Sequence, residues 1–191
     1  MTQHFSIAKK RISTLASVAI IASAIVLGGN AALAQNPPAS PPSEATASFS
    51  GKMVSVKYGA PSVKGRKIFG EGGRIASDKN FPIWRAGANS ATAFHTDTDL
   101  EVGTIKVPKG DYTLYVDLTN PDKWELIISK QTGQWGLTYS KEQDLGRTKM
   151  TMSKPSAPVE TLKYTLSAKG AKGTLMLEWE NHAGTVPLVA K

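Results

Sequence analysis

Short runs of alternating apolar and polar residues recur along this chain and constrain its fold more than any other feature. In the clearest run, Tyr112, Leu114 and Val116 alternate with Thr113 and Tyr115. A period of two places one set of side chains on each face of a β-strand. No comparable window has sustained helical spacing. Similar runs occur at residues 54–58, 124–128, 148–152, 162–166 and 175–179.

Turn-forming residues separate these runs. Residues 108–110 (Pro-Lys-Gly) suit a type I turn, and residues 120–122 (Asn-Pro-Asp) favour another, since an Asn side chain can bond its own backbone. Residues 169–173 (Lys-Gly-Ala-Lys-Gly) predict a hairpin loop. Short strands separated by such turns predict an all-β fold, a single antiparallel β-sandwich of Greek-key or jelly-roll type.

The 191 residues contain no cysteine. This excludes disulfides, thiolate zinc sites, thiol nucleophiles and a lipid-modified cysteine. The fold must therefore depend on packing alone, and a chain of this length can bury a sufficient core.

The N-terminal segment has the three parts of an export signal. Lys9, Lys10 and Arg11 precede an apolar run at 15–27, and residues 32–34 (Ala-Leu-Ala) form a small-x-small cleavage pattern. The run is too short to span a bilayer, which needs about 20 apolar residues. We therefore expect a signal peptide over 1–34, cleavage after Ala34, and a periplasmic or secreted protein with no transmembrane segment.

Residues 35–48 are rich in Pro, Ala and Ser and predict a flexible linker, with the sandwich domain over 49–191. Without the signal, 20 basic residues remain against 15 acidic ones. A positive balance favours anionic partners such as lipid headgroups, acidic glycans or wall polymers, although it also serves solubility. Nucleic acid is not expected, because no recognition motif is present.

One long region interrupts the strand pattern. Residues 59–89 are rich in Gly, Pro and charge, yet they include Ile68, Phe69, Phe81, Ile83 and Trp84, which could anchor the segment to the core. Ordered loops of this length are usually functional.

Several sequence blocks resemble one known family. They lie at 63–70 (VKGRKIFG), 84–89 (WRAGAN), 108–112 (PKGDY), 134–136 (QWG) and 139–147, which includes Asp144 and Arg147. In order and spacing they resemble the exported bacterial family catalogued as domain of unknown function 2911. The resemblance implies an exported β-rich domain and supplies no activity.

The same blocks contain the candidate site residues Arg66, Trp84, Arg85, Asn89 and Trp135. The arginines could present donors to a carboxylate or phosphate, Asn89 could add an amide, and Trp135 could stack on a sugar or aromatic ring. The structural alternative is that Trp84 fills the core, Arg85 is an ion-paired arginine, and 87–89 form a turn with positive φ.

No metal or cofactor is expected. His95, Asp97, Asp99 and Glu101 alternate, but neighbouring side chains on one face of a strand lie about 7 Å apart, too far to share an ion. A turn at Asp97 to Asp99 could bring them together, although a solvated strand edge is the favoured interpretation.

Motifs for catalysis are weak, because the serine-hydrolase elbow, the zinc-protease helix and the phosphate loop are all missing. We therefore expect a non-catalytic binding or interaction module, with a glycan or an anionic envelope component as ligand. Two alternatives remain. A hydrolase could use His95, or a carboxylate pair such as Asp117 and Glu125, and a structural protein could dock through an exposed apolar face.

Overall fold

The computed structural model describes Met1 and residues 39–191, so the predicted signal peptide and residues 35–38 lie outside the described residues. Within 39–191 the chain forms thirteen β-strands and one short 3₁₀ turn, Lys141–Gln143. The prediction of an all-β fold is confirmed. The strands are β1 Pro42–Phe49, β2 Lys52–Gly59, β3 Ile83–Trp84, β4 Ala88–Thr96, β5 Leu100–Val102, β6 Ile105–Val107, β7 Gly110–Asp117, β8 Glu125–Ser129, β9 Asp144–Lys149, β10 Thr151–Ser153, β11 Val159–Lys169, β12 Lys172–Glu180 and β13 His182–Ala190.

These strands form two antiparallel sheets that pack together, as the sandwich prediction requires. In the described part of the chain, the first sheet has the order β1-β2-β4-β7-β8-β9, and β3 pairs with β7 beside β4. The second has the order β11-β12-β13-β5-β6, and β10 pairs with β13. Their edges meet where β1 packs beside β11 and where β6 packs beside β9.

The alternating runs supply the core between the sheets. Val56, Phe94 and Leu114 face inward from neighbouring strands of the first sheet and are almost fully buried. Leu177 and Val186 are buried on the second sheet. Each inward residue removes its apolar surface from water, so this packing replaces the cross-links that the chain lacks.

Strand β1 differs from the sequence prediction, which assigned residues 42–48 to the linker. It pairs with β2 over its whole length, from Pro42 opposite Gly59 to Phe49 opposite Lys52. Ala45 and Ala47 pack against the core, and Phe49 is fully buried. The alternation is present in this segment but is carried by small residues, whose composition resembles that of a linker.

The hairpin predicted at residues 169–173 is confirmed, since Lys169 pairs with Lys172 across the turn between β11 and β12. At the other end of β12 a second tight turn connects β12 to β13. There Trp179 lies directly opposite His182. This turn places an imidazole beside the end of the aromatic core.

Candidate functional site: an aromatic pocket at one end of the sandwich

The long loop between β2 and β3, residues 60–82, folds back on itself beside the core. The amide of Arg74 donates to the Lys67 carbonyl (2.9 Å), and the amide of Ile75 donates to the Ile68 carbonyl (3.1 Å). Gly73 lies so close to the Ile68 carbonyl that a Cβ there would be 2.5 Å from its oxygen. A side chain at Gly73 would therefore push apart the turn that presents Phe69.

Phe69 is the centre of an aromatic cluster formed by both sheets. Its ring centroid lies 5.7 Å from that of Trp84 on β3 and 5.2 Å from that of Trp124, which directly precedes β8. On the second sheet it lies 6.0 Å from Trp179 and 4.4 Å from His182. Trp84 also stacks on Trp179, with centroids 5.9 Å apart and planes inclined by 16°. Most of these contacts have the edge-on or offset geometry that aromatic pairs prefer.

A pocket of about 430 Å³ opens on the outer side of this cluster. We call it the aromatic pocket. Its volume falls within the range of small-molecule sites. Its surface is mainly apolar, and Glu71, Thr119 and His182 contribute polar groups. The apolar and aromatic wall includes Phe69, Ile75, Phe81, Leu118, Trp124 and His182.

His182 is the histidine that lines this pocket. Its ring stacks on Trp124, with planes inclined by 12°, and its Nδ1 is buried without a hydrogen bond, 3.7 Å from Glu180 Oε2. Burial lowers the pKa of His182, and the nearby Glu180 carboxylate opposes the shift. The ring is therefore neutral near pH 7 and contributes a flat surface with one polar edge.

Comparison with known proteins gives a family but no function. The family model described as "Protein of unknown function (DUF2911)" matches residues 40–188. The chain belongs to this family. No curated protein matches the chain, and no solved structure matches it. The match extends from just before β1 into β13, and so covers both sheets of the DUF2911 domain.

Two of the candidate residues from the WRAGAN block have partners inside the DUF2911 domain. Trp84 is 2 % exposed in the aromatic cluster. Arg85 pairs through Nη1 with Asp78 Oδ2 at 3.2 Å, and its side chain is only 13 % exposed. The Thr92 hydroxyl donates to the carbonyls of Arg85 and Ala86 and so fixes the short connection between β3 and β4. These contacts agree with the structural interpretation of the block, in which Trp84 fills the core and Arg85 is an ion-paired arginine.

Residues 130–140, in the loop between β8 and β9, form a surface strap that crosses the start of β4 and brings Trp135 close to Asn89. The amide of Gly136 donates to the Asn89 carbonyl at 3.1 Å, and Ser90 bridges to Trp135. Asn89 has φ +65°, a conformation that Asn tolerates, and its side-chain amide reaches the Ser40 carbonyl at 3.5 Å. Trp135 is 57 % exposed, so it is available for contact with a ligand or partner.

Arg66 lies on the long loop and bonds the backbone of its own turn. Its Nε donates to the Val63 carbonyl at 3.0 Å and its Nη2 donates to the Ser62 carbonyl at 2.6 Å. These bonds fix the guanidinium but leave its charge uncompensated. The site predicted at Arg66, Trp84, Arg85, Asn89 and Trp135 stays a prediction.

His95 lies on the outer face of the first sheet, where Ser55, His95 and Asp111 occupy adjacent positions on β2, β4 and β7. Its Nδ1 bonds Asp111 at 2.7 Å and its Nε2 bonds Asp97 at 3.0 Å. These hydrogen bonds raise the pKa of His95, the bond to Asp111 most. Both ring nitrogens therefore have carboxylate partners, and the hydrogen bonds of the described residues place neither of them on the Ser55 hydroxyl.

The carboxylate Asp117, opposite Glu125 on β8, is fully engaged. It accepts from Arg147 Nη1 at 2.8 Å and from the backbone amide and hydroxyl of Thr119. Arg147 also binds Asp144 and the Tyr139 hydroxyl, and burial raises the pKa of Tyr139 to about 12. The network holds the loop between β8 and β9 on the sheet.

Among residues 39–191, no group of three or more His, Asp or Glu side chains could hold a metal ion. No helix in the described part of the chain is long and apolar enough to cross a membrane.

Sequence reasoning missed the pocket itself. It assigned Trp124 to a strand and treated Phe81 as a core anchor, whereas Phe81 is 48 % exposed and lines the pocket. Trp124 follows the Asn-Pro-Asp turn, and His182 begins β13 immediately after a turn. Aromatic residues beside turns could have indicated the pocket, because the ends of strands lie together at the two ends of a sandwich.

Proposed function

We propose that this protein is an exported, non-catalytic binding module of the DUF2911 family whose ligand occupies the aromatic pocket. The observation that carries the proposal is the open pocket between Phe69, Phe81, Trp124 and His182. The ligand presents a flat apolar face, such as the face of a sugar ring or an aromatic group. Such faces stack favourably on aromatic side chains.

The location of the pocket supports binding by a preformed surface. Trp124 is 1 % exposed and its ring is held by Phe69 and His182, so the floor is fixed before a ligand arrives. A rigid floor lowers the entropic cost of binding. Phe81 stands at the exposed side, where its ring can cover a ligand.

Export is part of the proposal and depends on the sequence pattern of residues 1–34. A glycan or an anionic envelope component would be available in that compartment. The excess of basic residues over acidic ones favours the second of these. A role without catalysis is favoured because the hydrogen bonds of His95 and Asp117 occupy the groups that a hydrolase would need.

The experiment compares two exposed aromatic residues. Phe81→Ala removes a wall of the pocket, while Trp135→Ala removes a ring of similar exposure on the strap. The probe is N-phenyl-1-naphthylamine, a neutral aromatic molecule that fluoresces when it leaves water, and oligomers of N-acetylglucosamine are tested as competitors. We expect Phe81→Ala to weaken probe binding by about 3- to 10-fold, because one aromatic contact is lost.

Trp135→Ala is expected to leave the affinity for the probe unchanged. Both residues are exposed, so neither change should lower the midpoint of thermal unfolding by more than about 2 °C. Loss of binding in Trp135→Ala but not in Phe81→Ala would mean that the ligand binds at Trp135 and Asn89 and not in the aromatic pocket. Displacement of the probe by the sugar oligomers would identify the glycan as the ligand class.

A further inference from the structure

The turn that forms one wall of the aromatic pocket has two faces of opposite character. The turn comprises residues 67–75, and backbone hydrogen bonds join its two arms, from Arg74 to Lys67 and from Ile75 to Ile68. Ile68 and Ile75 are buried against the core, whereas Lys67 and Arg74 are exposed on the other side. The same nine residues therefore separate an apolar pocket from a basic surface.

That basic surface contains a second, shallower depression of about 500 Å³. Arg66, Lys67 and Arg74 border it, and no acidic residue does. It shares Gly72 and Ala76 with the aromatic pocket, so the two depressions adjoin at these small residues. A molecule seated in the pocket could extend across Gly72 to the basic side.

The positive charges on this surface are only partly compensated. Arg74 pairs with Asp78 at 3.3 Å, but Asp78 also pairs with Arg85 through its other oxygen. Among residues 39–191, Arg66 and Lys67 form no ion pair with a carboxylate. Backbone carbonyls hold them instead, those of Ser62 and Val63 for Arg66 and that of Glu71 for Lys67.

Carbonyl partners fix a cation in place without cancelling its charge. A guanidinium fixed in this way is prepared to bind a carboxylate, sulfonate or phosphate, because less side-chain entropy is lost on binding. The opposing group is the exposed carboxylate of Glu71, which lines the pocket side. Together with Asp78, which is shared between Arg74 and Arg85, it leaves the charges of Arg66 and Lys67 in excess on this surface.

We propose that the ligand of this module is a small anion with an apolar, ring-sized body, and that Arg66 and Lys67 bind its charged group while the aromatic pocket holds the body. This inference rests on the proposed function and adds the charge of the ligand to it. Arg66 thereby keeps the anion-binding role expected from the sequence, with Lys67 and Arg74 beside it.

The test uses two probes that share one aromatic body. N-phenyl-1-naphthylamine is neutral, and 8-anilinonaphthalene-1-sulfonate carries a sulfonate on the same framework. The purified protein should bind the sulfonate more tightly than the neutral probe at low salt. Raising the salt from about 0.02 M to about 0.5 M should reduce this preference, because exposed charges are screened over a shorter distance.

Two variants change the charge in opposite directions. Arg66→Gln with Lys67→Gln should weaken binding of the sulfonate by about 3- to 10-fold, as expected for two exposed charge contacts. Glu71→Gln should strengthen it, which a loss of folding could not produce. For both variants, the change in affinity for the sulfonate should exceed any change in affinity for the neutral probe, because only the sulfonate carries a charge.

The matched control is Lys169→Gln with Lys172→Gln, which removes the same charge from the hairpin at the far end of β12. The proposal is overturned if this control lowers the affinity for the sulfonate as much as the Arg66 and Lys67 variant. It is also overturned if the two probes bind equally and neither charge change affects them. Failure of the proposed function gives a different result, in which Phe81→Ala leaves the binding of the neutral probe unchanged.

Discussion

The two histidines of the described chain have opposite environments. His95 lies on an exposed face between two carboxylates, which favour its protonated form. His182 lies between aromatic rings, where burial disfavours that form. Their pKa values therefore move in opposite directions from the ordinary value of 6.5 for histidine.

The first prediction concerns the pH dependence that follows. The contribution of His95 to stability is complete below pH 6.5 and is lost as pH rises through its raised folded pKa. The contribution of His182 is complete above pH 6.5 and is lost as pH falls toward its lowered folded pKa. Titration of the imidazole carbon–proton signals by NMR should place His95 above His182.

His95→Gln and His182→Gln assign the two signals and serve as each other's control. Thermal unfolding between about pH 5 and pH 8 should show that His182→Gln removes a loss of stability on the acid side, whereas His95→Gln removes a gain there. The effect of His95 should stay below about 1 kcal/mol because solvent screens an exposed pair. A pKa for His182 above that of His95 would contradict the environments described here.

At the scale of single elements, β1 is the strand that the amino-acid composition did not predict. Its inward positions are Ala45, Ala47 and Phe49, and its outward ones include Thr46 and Ser48. A run of Pro, Ala and Ser has low strand propensity and predicts a linker from composition alone. Pairing with β2 overrides that propensity because it satisfies the backbone groups of an otherwise open edge.

The second prediction tests the register of β1 with a matched pair of substitutions. Ala47→Asp places a charge on the core side, so the free energy of unfolding should fall by about 2 to 4 kcal/mol. Ser48→Asp places the same charge in solvent and should change it by less than about 0.5 kcal/mol. Chemical denaturation measures both values. Equal, small effects would mean that this segment is a linker in solution.

At the scale of the whole molecule, the aromatic cluster joins side chains of the two sheets. Trp84 belongs to the first sheet and Trp179 to the second, and their rings stack. Phe69 contacts both from the long loop. Phe69, Trp124 and His182 of this cluster also line the pocket, so the packing between the sheets and the shape of the site share these side chains.

The third prediction is that this stack couples the two sheets energetically. A double-mutant cycle with Trp84→Leu and Trp179→Leu should give an interaction free energy of about 0.5 to 1.5 kcal/mol. Chemical denaturation of the four proteins provides the measurement. Trp84→Leu with Val186→Ala, which lies elsewhere in the core, is a control cycle that should be additive. Additivity in both cycles would mean that the stack contributes no coupling.

The sequence by itself determined the fold class of this protein. Alternation at residues such as Leu114 and Val116 is a local property, since neighbouring side chains of any strand point to opposite faces. Turn residues act locally for the same reason, as at the hairpin between Lys169 and Lys172. The motif blocks also identified the DUF2911 family, which the family match confirms.

Only the tertiary structure decided where the candidate site lies. Phe69, Trp124 and His182 are far apart in sequence, and nothing local indicates that their rings meet. The long loop has no periodicity from which its path could be predicted, so the exposure of Phe81 and the burial of Trp84 were both undetermined. A pocket is formed by the relative placement of strand ends and loops, and that placement results from packing across two sheets.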